Sequence, residues 1–376
     1  MSIDKRIGIL GGGQLGRMLI QAAINYNLDI AILDPDPEAP CRSLAGRFFQ
    51  GNLLDYDTVY NFGKQVDVLT IEIEHVNTDA LFRLEEEGVK VFPRPASIRM
   101  IQDKGFQKQF YKENGIPTSE FRLCQSRSEL AEHQDFLPFF QKLRRGGYDG
   151  RGVQQIRHTD DFSKAFDAPS VIEKAVYVEK EISVIVARNA EGSVRTYPAV
   201  ELAFHPEANL VEYLFSPASI SPEMEEQAAH IATQVAHSLN LVGLLAVEFF
   251  VSRKGELLVN EMAPRVHNSG HHTIEANITS QFEQHLRAIL NLPLGSTAIK
   301  LPAVMINLLG EPDFEGPARY QGLEQILKMD GVSVHLYGKK ITRPFRKMGH
   351  VTIVDKDLSA AKEKAKFVKH TLKVIA

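Results

Sequence analysis

The sequence predicts an α/β N-terminal region followed by a β-rich, mostly antiparallel region, so that the chain as a whole has α+β character. Short β-branched runs alternate with helical patterns over the first hundred residues, whereas after residue 139 such runs follow one another with few helices between them. Parallel strands need long, usually helical, crossovers, and antiparallel strands do not. With 376 residues the chain also exceeds one ordinary hydrophobic core, and we expect two or three domains.

The N-terminal elements follow from the alternation of apolar runs and amphipathic segments. We predict strands at residues 6–10, 30–33, 66–71 and 89–92, with helices at residues 14–25 and 78–87. Short apolar strands separated by helices are typical of a parallel sheet that is covered on both faces. A further helix at residues 103–114 ends at Gly115, with Pro117 just beyond, which indicates a boundary between regions.

The β-rich region contains closely spaced strands, predicted at residues 139–143, 153–156, 171–175, 177–186 and 195–202. A long amphipathic helix at residues 222–239 precedes two more strands, at residues 244–251 and 256–262. A charged helix at residues 362–371 is expected to present a solvated face.

Composition excludes several classes of function. The net charge of −4 gives no basic footprint for nucleic acid and no polybasic segment for a membrane surface. Two cysteines, Cys41 and Cys124, cannot build a disulfide framework and lack metal-ligand spacing. The first apolar run is too short for a signal-peptide core, and we find no apolar stretch of about 18 residues. A cytoplasmic protein is therefore expected.

The first glycine-rich loop lies between a predicted strand and a predicted helix. Gly11, Gly13 and Gly16 match G-x-G-x-x-G, and Asp34 ends the second strand, which is the spacing of a dinucleotide site. Glycine amides at a helix N-terminus bind any phosphate, however. An NAD(P) site, a site for another phosphate and a purely structural turn remain open, and Gln14 lies where a ligand would sit.

A pair of glutamates is predicted across a hairpin with a turn at Lys254 and Gly255. An even-length loop centred there places Glu248, six residues before Lys254, opposite Glu261, six residues after Gly255. Two such carboxylates among apolar neighbours repel each other, and a cation relieves this repulsion. Oxygen ligands of this kind suit Mg²⁺. Two glutamates at a solvated sheet edge are the alternative, and a one-residue bulge would break the pairing.

The segment after this hairpin is rich in hydrogen-bond donors. Asn260 could complete the metal coordination, and residues 265–272 bring together Arg265, His267, Asn268, Ser269, His271 and His272. Such a run after a metal-binding strand indicates a loop for an anionic substrate. A histidine-rich zinc site is the alternative, although no cysteine or HExxH-type spacing accompanies it.

A second glycine-rich loop joins two predicted strands at residues 142–153. Its glycines let the backbone lie against a polyphosphate, and Lys142, Arg144 and Arg151 supply positive charge. It lacks Gly-Lys-Ser/Thr and no helix follows, so it is not a Walker A loop. An exposed hairpin turn is the alternative.

The order of these features resembles the ATP-grasp superfamily. A lysine on a strand, a glycine-rich flap, an E-K-x-V linker, an acidic residue eight positions later and a final Glu…Asn-Glu pair occur in that order. Across residues 5–356, GGGQLGRM, EIEH, GGYDGRG, NEMAPRVHNSGHHT, VMINLLG and RPFRKMGH are similar to motifs of the 5-(carboxyamino)imidazole ribonucleotide synthase family. In RPFRKMGH that family more often has glycine at the position of Phe345.

The resemblance implies an ATP-grasp fold with a Rossmann-like pre-ATP-grasp domain at residues 1–102, a small β-rich lid with its linker at 103–190, and a C-terminal ATP-grasp domain at 191–376. It implies carboxylation of 5-aminoimidazole ribonucleotide with ATP and bicarbonate, through carboxyphosphate, in purine biosynthesis. It also implies Mg²⁺, with Mn²⁺ as a possible substitute, and a homodimer. An NAD(P) oxidoreductase would leave the second loop and the glutamates unexplained, and a non-catalytic nucleotide-binding regulator would need neither Glu248 nor Glu261.

The resemblance also implies roles for individual residues. Catalysis is assigned to Arg265 and His267, and the metal to Glu248 and Glu261. The ATP site is assigned to Lys104, Lys142, Gly147, Tyr148, Asp149, Gly150, Arg151, Gly152, Val153, Glu173, Lys174, Ala175, Val176, Glu181, His205, Asn260 and Glu261. The ribonucleotide site is assigned to Gln14, Leu15, Asp149, Arg265, His267, Asn268, Ser269, Lys339 and Arg346, with Lys340 as the alternative to Lys339. Because ATP already has its own groups, we expect the first glycine loop to bind the 5′-phosphate of the ribonucleotide.

Overall fold

The N-terminal region forms the expected parallel sheet. The computed structural model describes residues 5–147, 152–204 and 210–376. The strands have the order β3-β2-β1-β4-β5 and are β1 (Arg6–Leu10), β2 (Asp29–Asp34), β3 (Arg47–Gln50), β4 (Val68–Ile71) and β5 (Lys90–Val91). Their helices are α1 (Gln14–Ile24), α2 (Tyr56–Gly63) and α3 (Thr78–Glu86). Strand β3 and helix α2 were not predicted from the sequence, because β3 is short and only half-buried and α2 has just two turns.

Two helices connect this sheet to the rest of the chain, α4 (Pro95–Ile101) and α5 (Lys104–Glu113). Asp103 begins α5, because its carboxylate accepts hydrogen bonds from the amides of Gly105 and Phe106. The same carboxylate pairs with Arg144 at 2.8 Å, so this helix start is tied to the second glycine loop.

The lid is an antiparallel sheet of order β6-β9-β7-β8 with a small core of its own. Its strands are β6 (Phe121–Cys124), β7 (Phe139–Leu143), β8 (Val153–Ile156) and β9 (Ser170–Lys174). Phe136, Phe139 and Ile172 lie in its core. Two 3₁₀ segments cover it, Arg127–Phe136 and Thr159–Lys164.

The largest sheet is antiparallel, in the order β15-β14-β10-β12-β13-β16-β21-β19, with β11 beside β10. Its first strands are β10 (Val178–Arg188), β11 (Val194–Thr196), β12 (Val200–Phe204), β13 (Val211–Ser216), β14 (Gly243–Ser252) and β15 (Leu257–Ala263). The single strand predicted at residues 195–202 is thus two strands, separated at Pro198, which has no amide proton for a ladder.

Side-chain alternation along β10 assigns the two faces of this sheet. Ile182, Val184 and Val186 pack on one face against helix α6 (Pro222–Ser238). Ile185 and Ala187 pack on the other face with α1 and with helix α8 (Gln281–Ile289), which follows α7 (Thr273–Ala276). Ser183 and Glu181 share that second face, and the partner of Ser183 on β14 is Glu248. The polar side chains of β10 and β14 therefore point toward the N-terminal region.

The C-terminal segment completes the large sheet with β16 (Ala303–Leu309), β19 (Val332–Leu336) and β21 (Lys347–Val354). Shorter elements are β17 (Gly316–Pro317), β18 (Arg319–Gln321), α9 (Leu323–Ile326), β20 (Ile341–Thr342) and β22 (Lys373–Ile375). The last helix, α10 (Leu358–Thr371), is solvated on one side only, because Ala361, Ala365 and Val368 are buried against the sheet. Among the described residues, no helix is long and apolar enough to cross a membrane.

Candidate active site

The first glycine loop binds carboxylates of the protein itself. The loop joins β1 to α1, where the strand order reverses between β1 and β4. Glu72, which follows β4, accepts hydrogen bonds from the amides of Gly13 and Gly16, both at 2.6 Å. Asp34, at the end of β2, accepts one from the amide of Gly12 at 2.6 Å. Burial raises the pKa of both carboxyl groups, and the amide hydrogen bonds oppose that rise.

This arrangement corrects the expectation that the glycine amides of the loop bind a phosphate. A phosphate or a dinucleotide pyrophosphate would need amides that Glu72 and Asp34 already occupy. The first amides of α1, those of Gln14 and Leu15, have no acceptor within the helix and remain candidates for an anionic ligand. Only the start of α1, rather than the glycines before it, is therefore open to a substrate.

Cationic side chains of the C-terminal segment face this loop. Burial lowers the pKa of Lys339 to about 8, aided by the charge of Arg346 and opposed by that of Glu72. Lys340 instead lies 71% exposed and pairs with Glu38 at 2.7 Å. The burial of Lys339 and its proximity to Arg346 favour it over Lys340 as a ligand for a phosphate.

Phe345, between these cations, has an unusual backbone conformation. Its φ is +59°, in the left-handed region that favours glycine, and its amide donates to the carbonyl of Gly310 at 2.9 Å. This conformation gives a physical reason why glycine is common at this position in the family that the sequence resembles.

Glu248 and Glu261 are cross-strand partners in the hairpin of β14 and β15, as predicted. The reasoning behind that prediction was nevertheless wrong about the loop, which has three residues, 253–255, instead of an even number. Gly255 adopts the left-handed conformation, at φ +78°, that such a loop requires. By itself, this odd loop would place Asn260 opposite Glu248.

A one-residue bulge at Asn260 restores the glutamate pair. Phe249 pairs with Val259 and Glu248 with Glu261, so Asn260 is the extra residue on β15. In such a bulge, two consecutive residues oppose one partner. Asn260 and Glu261 can therefore both meet lysines of the cleft. The Lys142 ammonium donates to Asn260 Oδ1 at 2.9 Å, and the Lys104 ammonium donates to Glu261 Oε2 at 2.7 Å.

The two carboxyl groups of the glutamate pair differ in their electrostatic environment. The charge of Lys104 lowers the pKa of Glu261, whereas burial and the charge of Glu261 raise the pKa of Glu248. Burial also raises the pKa of Glu181, on the same face, to about 7. Within residues 5–147, 152–204 and 210–376, no group of three His, Cys, Asp or Glu could hold a metal by itself. The donor set fits a hard divalent cation that takes its other ligands from substrate phosphates and water.

A buried cluster behind the cleft positions Lys142. Glu173 forms ion pairs with Lys108 at 2.8 Å and with Lys142 at 3.0 Å. It also accepts a hydrogen bond from the hydroxyl of Ser119 at 2.6 Å. Burial alone would raise the pKa of Glu173, but the charges of Lys142 and Lys108 lower it to about 2. Burial lowers the pKa of Lys108 to about 8. Lys142 is thus fixed between Glu173 on the lid and Asn260 on the large sheet.

Two backbone amides at the end of β9 and in the linker after it are already hydrogen-bonded within the protein. The amide of Lys174 donates to the carbonyl of Glu120 at 2.8 Å, and that of Ala175 donates to the carbonyl of Pro138 at 3.1 Å. A base bound at residues 173–176 would therefore have to use carbonyl oxygens or the amide of Val176.

His267 is a buried, neutral group beside the glutamate pair. Its Nδ1 lies 2.9 Å from Ser269 Oγ, which in turn lies 2.8 Å from Ser183 Oγ. Its Nε2 lies 3.7 Å from Glu248 Oε1. Burial lowers the pKa of His267 to about 3, with a contribution from the charge of Arg265. The imidazole is therefore uncharged at neutral pH.

The neighbours of His267 are fixed from two sides. Asn268 exchanges two side-chain hydrogen bonds with Asn307 on β16, at 2.8 and 3.0 Å. Arg265 Nε lies 2.9 Å from Glu74, which follows β4. The loop of residues 265–269 is thus tied to both the large sheet and the N-terminal region.

The zinc alternative gains no support from the histidines further along. His271 packs against Phe282 and His350 in tilted arrangements, with ring centroids 5.9 and 4.7 Å away. Burial lowers the pKa of His272 to about 4. These rings pack in the core, and among the described residues they form no group of three potential metal ligands.

Part of the predicted ATP site lies outside the described residues, namely Tyr148, Asp149, Gly150, Arg151 and His205. At the edges of that loop, Val153 pairs with Lys142 in the ladder of β7 and β8, and the Leu143 amide donates to the Gly152 carbonyl. Gly147 lies next to Gly152, whose φ is +76°. Arg144 pairs with Asp103, so its charge is engaged at the start of α5.

Comparison with known proteins identifies the family. Three models match: "Ribonucleotide synthetase preATP-grasp domain" at residues 4–102, "ATP-grasp domain" at 109–282 and "Phosphoribosylaminoimidazole carboxylase C-terminal domain" at 303–364. The chain is 40% identical to the N5-carboxyaminoimidazole ribonucleotide synthase of Brucella melitensis, over 92% of this chain and 95% of that protein. The chain belongs to the N5-carboxyaminoimidazole ribonucleotide synthase family.

Solved structures agree with this assignment over nearly the whole chain. The N5-carboxyaminoimidazole ribonucleotide synthetase of Thermotoga maritima is 43% identical, with a TM-score of 0.91 and 99% of each chain covered. An Aspergillus clavatus synthase solved with ADP and 5-aminoimidazole ribonucleotide is 33% identical, with a TM-score of 0.89 and 98% of each chain covered. The chain also spans 65% of the length of a chloroplastic phosphoribosylaminoimidazole carboxylase of Vigna aconitifolia, to which it is 41% identical. The fold is therefore an ATP-grasp fold with a pre-ATP-grasp domain.

Sequence reasoning gave no role to four residues of this family member's site: Glu72, Glu74, Lys108 and Asn307. Signals for them existed. Glu72 and Glu74 directly follow a strand at the reversal of strand order, where α/β sheets bind ligands. Lys108 lies four positions after Lys104, on the same side of α5. Asn307 is the lone polar residue in the apolar run of β16.

Proposed function

We propose that this chain carboxylates 5-aminoimidazole ribonucleotide to N5-carboxyaminoimidazole ribonucleotide, using ATP and bicarbonate and releasing ADP and phosphate. The observation that carries the proposal is the Glu248–Glu261 pair, which faces Lys104 and Lys142 in a chain that belongs to this family throughout its length. Paired carboxylates opposite two lysines suit a nucleotide triphosphate with its divalent cation.

The metal that the family implies is Mg²⁺, and the residues present fit it. Glu248 and Glu261 would hold the ion, with Asn260 beside them. Burial and the charge of Glu261 raise the pKa of Glu248, and a cation at the pair would oppose both effects by stabilising the ionised carboxylate. When bound, the ion neutralises charge on the phosphate oxygens of the nucleotide. Mn²⁺ prefers similar oxygen ligands and is proposed as a substitute.

The lysines supply the positioning for phosphoryl transfer. An oxygen of bicarbonate attacks the γ-phosphorus, the bond to ADP breaks, and carboxyphosphate forms. Lys104 and Lys142 lie at the carboxylate pair, and we infer that they bind the phosphates of ATP and stabilise the transferring group. Glu173 and Lys108 keep Lys142 in place. Glu181, Glu173–Val176 and His205 are proposed for the rest of the nucleotide.

The second step forms the carbon–nitrogen bond. The exocyclic amine attacks the carboxyl carbon of carboxyphosphate, phosphate leaves, and the nitrogen loses a proton. Because burial lowers the pKa of His267 to about 3, its imidazole is a poor proton acceptor. We infer that the departing phosphate takes the proton, while His267 and Arg265 orient the reactants.

The ribonucleotide is proposed to lie between the start of α1 and the cations of the C-terminal segment. Gln14 and Leu15 would meet its phosphate from one side, and Lys339 and Arg346 from the other. Its imidazole would then point toward Arg265 and His267. Asn268 and Ser269 complete this set, with Asp149 from the second glycine loop.

Several further features rest on the resemblance to this family. We propose the division into residues 1–102, 103–190 and 191–376, a homodimer, and a cytoplasmic location.

The proposal is tested by measuring ADP release with 5-aminoimidazole ribonucleotide and bicarbonate added separately and together. We expect full release only with both, together with ATP and Mg²⁺, and one phosphate for each ADP. Products of AMP and pyrophosphate would contradict the acylphosphate mechanism. An equal rate of ADP release with and without the ribonucleotide would contradict the proposed substrate.

A further inference from the structure

Arg265, just after β15, forms an ion pair with Glu74 of the N-terminal region. The distance from Nε to Glu74 Oε1 is 2.9 Å, and the two side chains are only 17% and 22% exposed. The guanidinium makes a second contact, from Nη1 to the carbonyl of Val266 at 3.0 Å. Within the described part of the chain Nε makes no hydrogen bond, so the contact with Glu74 is an ion pair without a directional hydrogen bond. This charge pairing and the Nη1 hydrogen bond together hold the planar guanidinium in place.

The position of Glu74 is itself determined by the N-terminal region. Its carbonyl accepts hydrogen bonds from the side chain of Gln102 at 2.8 Å and from the amide of Val76 at 2.9 Å. The carboxylate thus extends from a backbone turn that is anchored beside the glycine loop. The ion pair connects that turn to Arg265, in the loop that follows β15 of the large sheet.

Arg265 occupies a central place in the charge distribution of the cleft. Its charge opposes the burial-driven rise in the pKa of Glu72 on one side, and it adds to the lowering of the pKa of His267 on the other. A rotated guanidinium would change the environment of both groups. Its orientation therefore bears on the reaction as well as on the fold.

We propose that Glu74 is a positioning residue, which holds the Arg265 guanidinium toward the anionic reactants. This inference rests on the proposed function, in which Arg265 contacts the reactants and Glu74 does not. A second ion pair between the same two regions, Glu38 with Lys340, is exposed and serves as the matched control.

The first measurement compares Glu74→Gln with Glu38→Gln. Glutamine keeps the size of the side chain but loses the negative charge that pairs with the Arg265 guanidinium. We expect the turnover of Glu74→Gln to fall by about 10- to 100-fold, because a misplaced catalytic group costs rates of this order. The Michaelis constant for ATP should stay within about twofold, since the lysines are untouched. Glu38→Gln should behave like the unaltered protein.

The second measurement is a double-mutant cycle with Arg265→Lys, which retains a cation but lacks the nitrogen that Glu74 contacts. If Glu74 acts through Arg265, Glu74→Gln should add less than about twofold to the loss in Arg265→Lys. Losses that multiply would overturn the proposal. The same four proteins can also be compared by the dissociation constant of the ribonucleotide, measured by calorimetry, which gives a double-mutant cycle that does not depend on turnover.

Two further results keep the inference separate from the proposed function. An unaltered protein that releases no ADP with all substrates present refutes the proposed function itself. An active unaltered protein with an equally active Glu74→Gln refutes only the positioning role. If Glu74→Gln has a lowered melting temperature, Glu74→Asp decides the question: it retains the charge, and we expect it to recover part of the turnover.

Discussion

The ammonium of Lys104 forms an ion pair with Glu261, one of the two proposed metal ligands. It lies 2.7 Å from Glu261 Oε2, and its charge is the main reason that the pKa of Glu261 is low. A divalent cation at Glu261 would have to displace this ammonium. In the proposed enzyme the phosphates of ATP provide the alternative partner for Lys104, so that nucleotide and metal should bind together.

We predict that Lys104→Met increases the affinity of the nucleotide-free protein for Mn²⁺ by about tenfold or more, since it removes a competing cation at short range. Titration followed by the electron paramagnetic resonance of free Mn²⁺ measures this. Lys180→Met is the control, because Lys180 pairs with Glu201 at 3.3 Å, away from the glutamate pair. Equal affinities in the two variants would show that Lys104 does not compete for the site.

Glu261→Gln should abolish most of the activity while the fold survives. The change keeps the shape of the side chain but removes one of the two proposed carboxylate ligands, and turnover should fall by about 100-fold or more. Glu256→Gln at the turn of the same hairpin should leave turnover unchanged. Near-normal turnover of Glu261→Gln at limiting Mg²⁺ would contradict the role given to the glutamate pair.

At the scale of single elements, local irregularities bring polar residues into the cleft. The bulge at Asn260 places two consecutive polar side chains of β15 within reach of lysines, whereas a regular strand would turn them to opposite faces. On β16, Asn307 interrupts an apolar strand, and its side chain bonds to Asn268 and to the carbonyl of Val211. Both irregularities lie in the motifs that resemble the family most.

Asn307→Ala should uncouple the loop of residues 265–269 from the large sheet. The change leaves the amide of Asn268 without its partner, and losing buried hydrogen bonds costs about 1–3 kcal/mol. We expect a higher Michaelis constant for the ribonucleotide, a lower turnover and a slightly lower melting temperature. Asn189→Ala, which removes a buried hydrogen bond in the turn before β11, should lower the melting temperature alone. Unchanged kinetics in Asn307→Ala would refute the coupling.

At the scale of the whole molecule, several imidazoles are buried without charge. Burial lowers the pKa of His267 to about 3 and those of His272 and His285 to about 4, and it also lowers the pKa values of His271 and His350 well below the usual range. An unfolded chain binds protons at these residues below about pH 6.5, and the native protein does not until the pH is much lower. Above pH 6.5 each histidine is neutral in both states, and between pH 6.5 and its lower native pKa each histidine favours the unfolded state.

Below pH 6.5 the buried histidines should destabilise the protein, and the raised pKa values of Glu181 and Glu248 only partly oppose this trend. We predict that the free energy of unfolding falls as the pH drops from 6.5 toward 4, by up to about 1.4 kcal/mol per pH unit for each buried histidine. Urea denaturation at pH 7.5 and 5.5 measures this. In His285→Gln the decrease in the free energy of unfolding should be smaller by the contribution of one histidine. Glutamine can form a hydrogen bond with Thr70 but does not titrate. A stability that is flat across this range would contradict the prediction.

The sequence by itself determined those features that depend on neighbours along the chain. The parallel sheet, the hairpin of Glu248 and Glu261 and the two glycine-rich loops followed from side-chain periodicity and from glycine positions. The structure contains the sheet, the hairpin and the first loop, whereas residues 148–151 of the second loop lie outside the described residues. Family motifs added the ATP-grasp fold. The glutamate pairing was right although the loop length was misjudged, since a three-residue loop and a one-residue bulge cancel.

Only the tertiary structure decided which groups meet across long separations in the chain. Glu72 accepts hydrogen bonds from the amides of Gly16 and Gly13, which lie 56 and 59 residues before it in the chain. The loop whose spacing matched a phosphate site therefore has these amides already bonded. Lys108 reaches Glu173, and Glu74 reaches Arg265, from different regions of the chain. Periodicity reports which face of a strand or helix is buried, but not which side chain of another element packs there. That choice depends on how the sheets are placed against one another, which is a property of the whole fold.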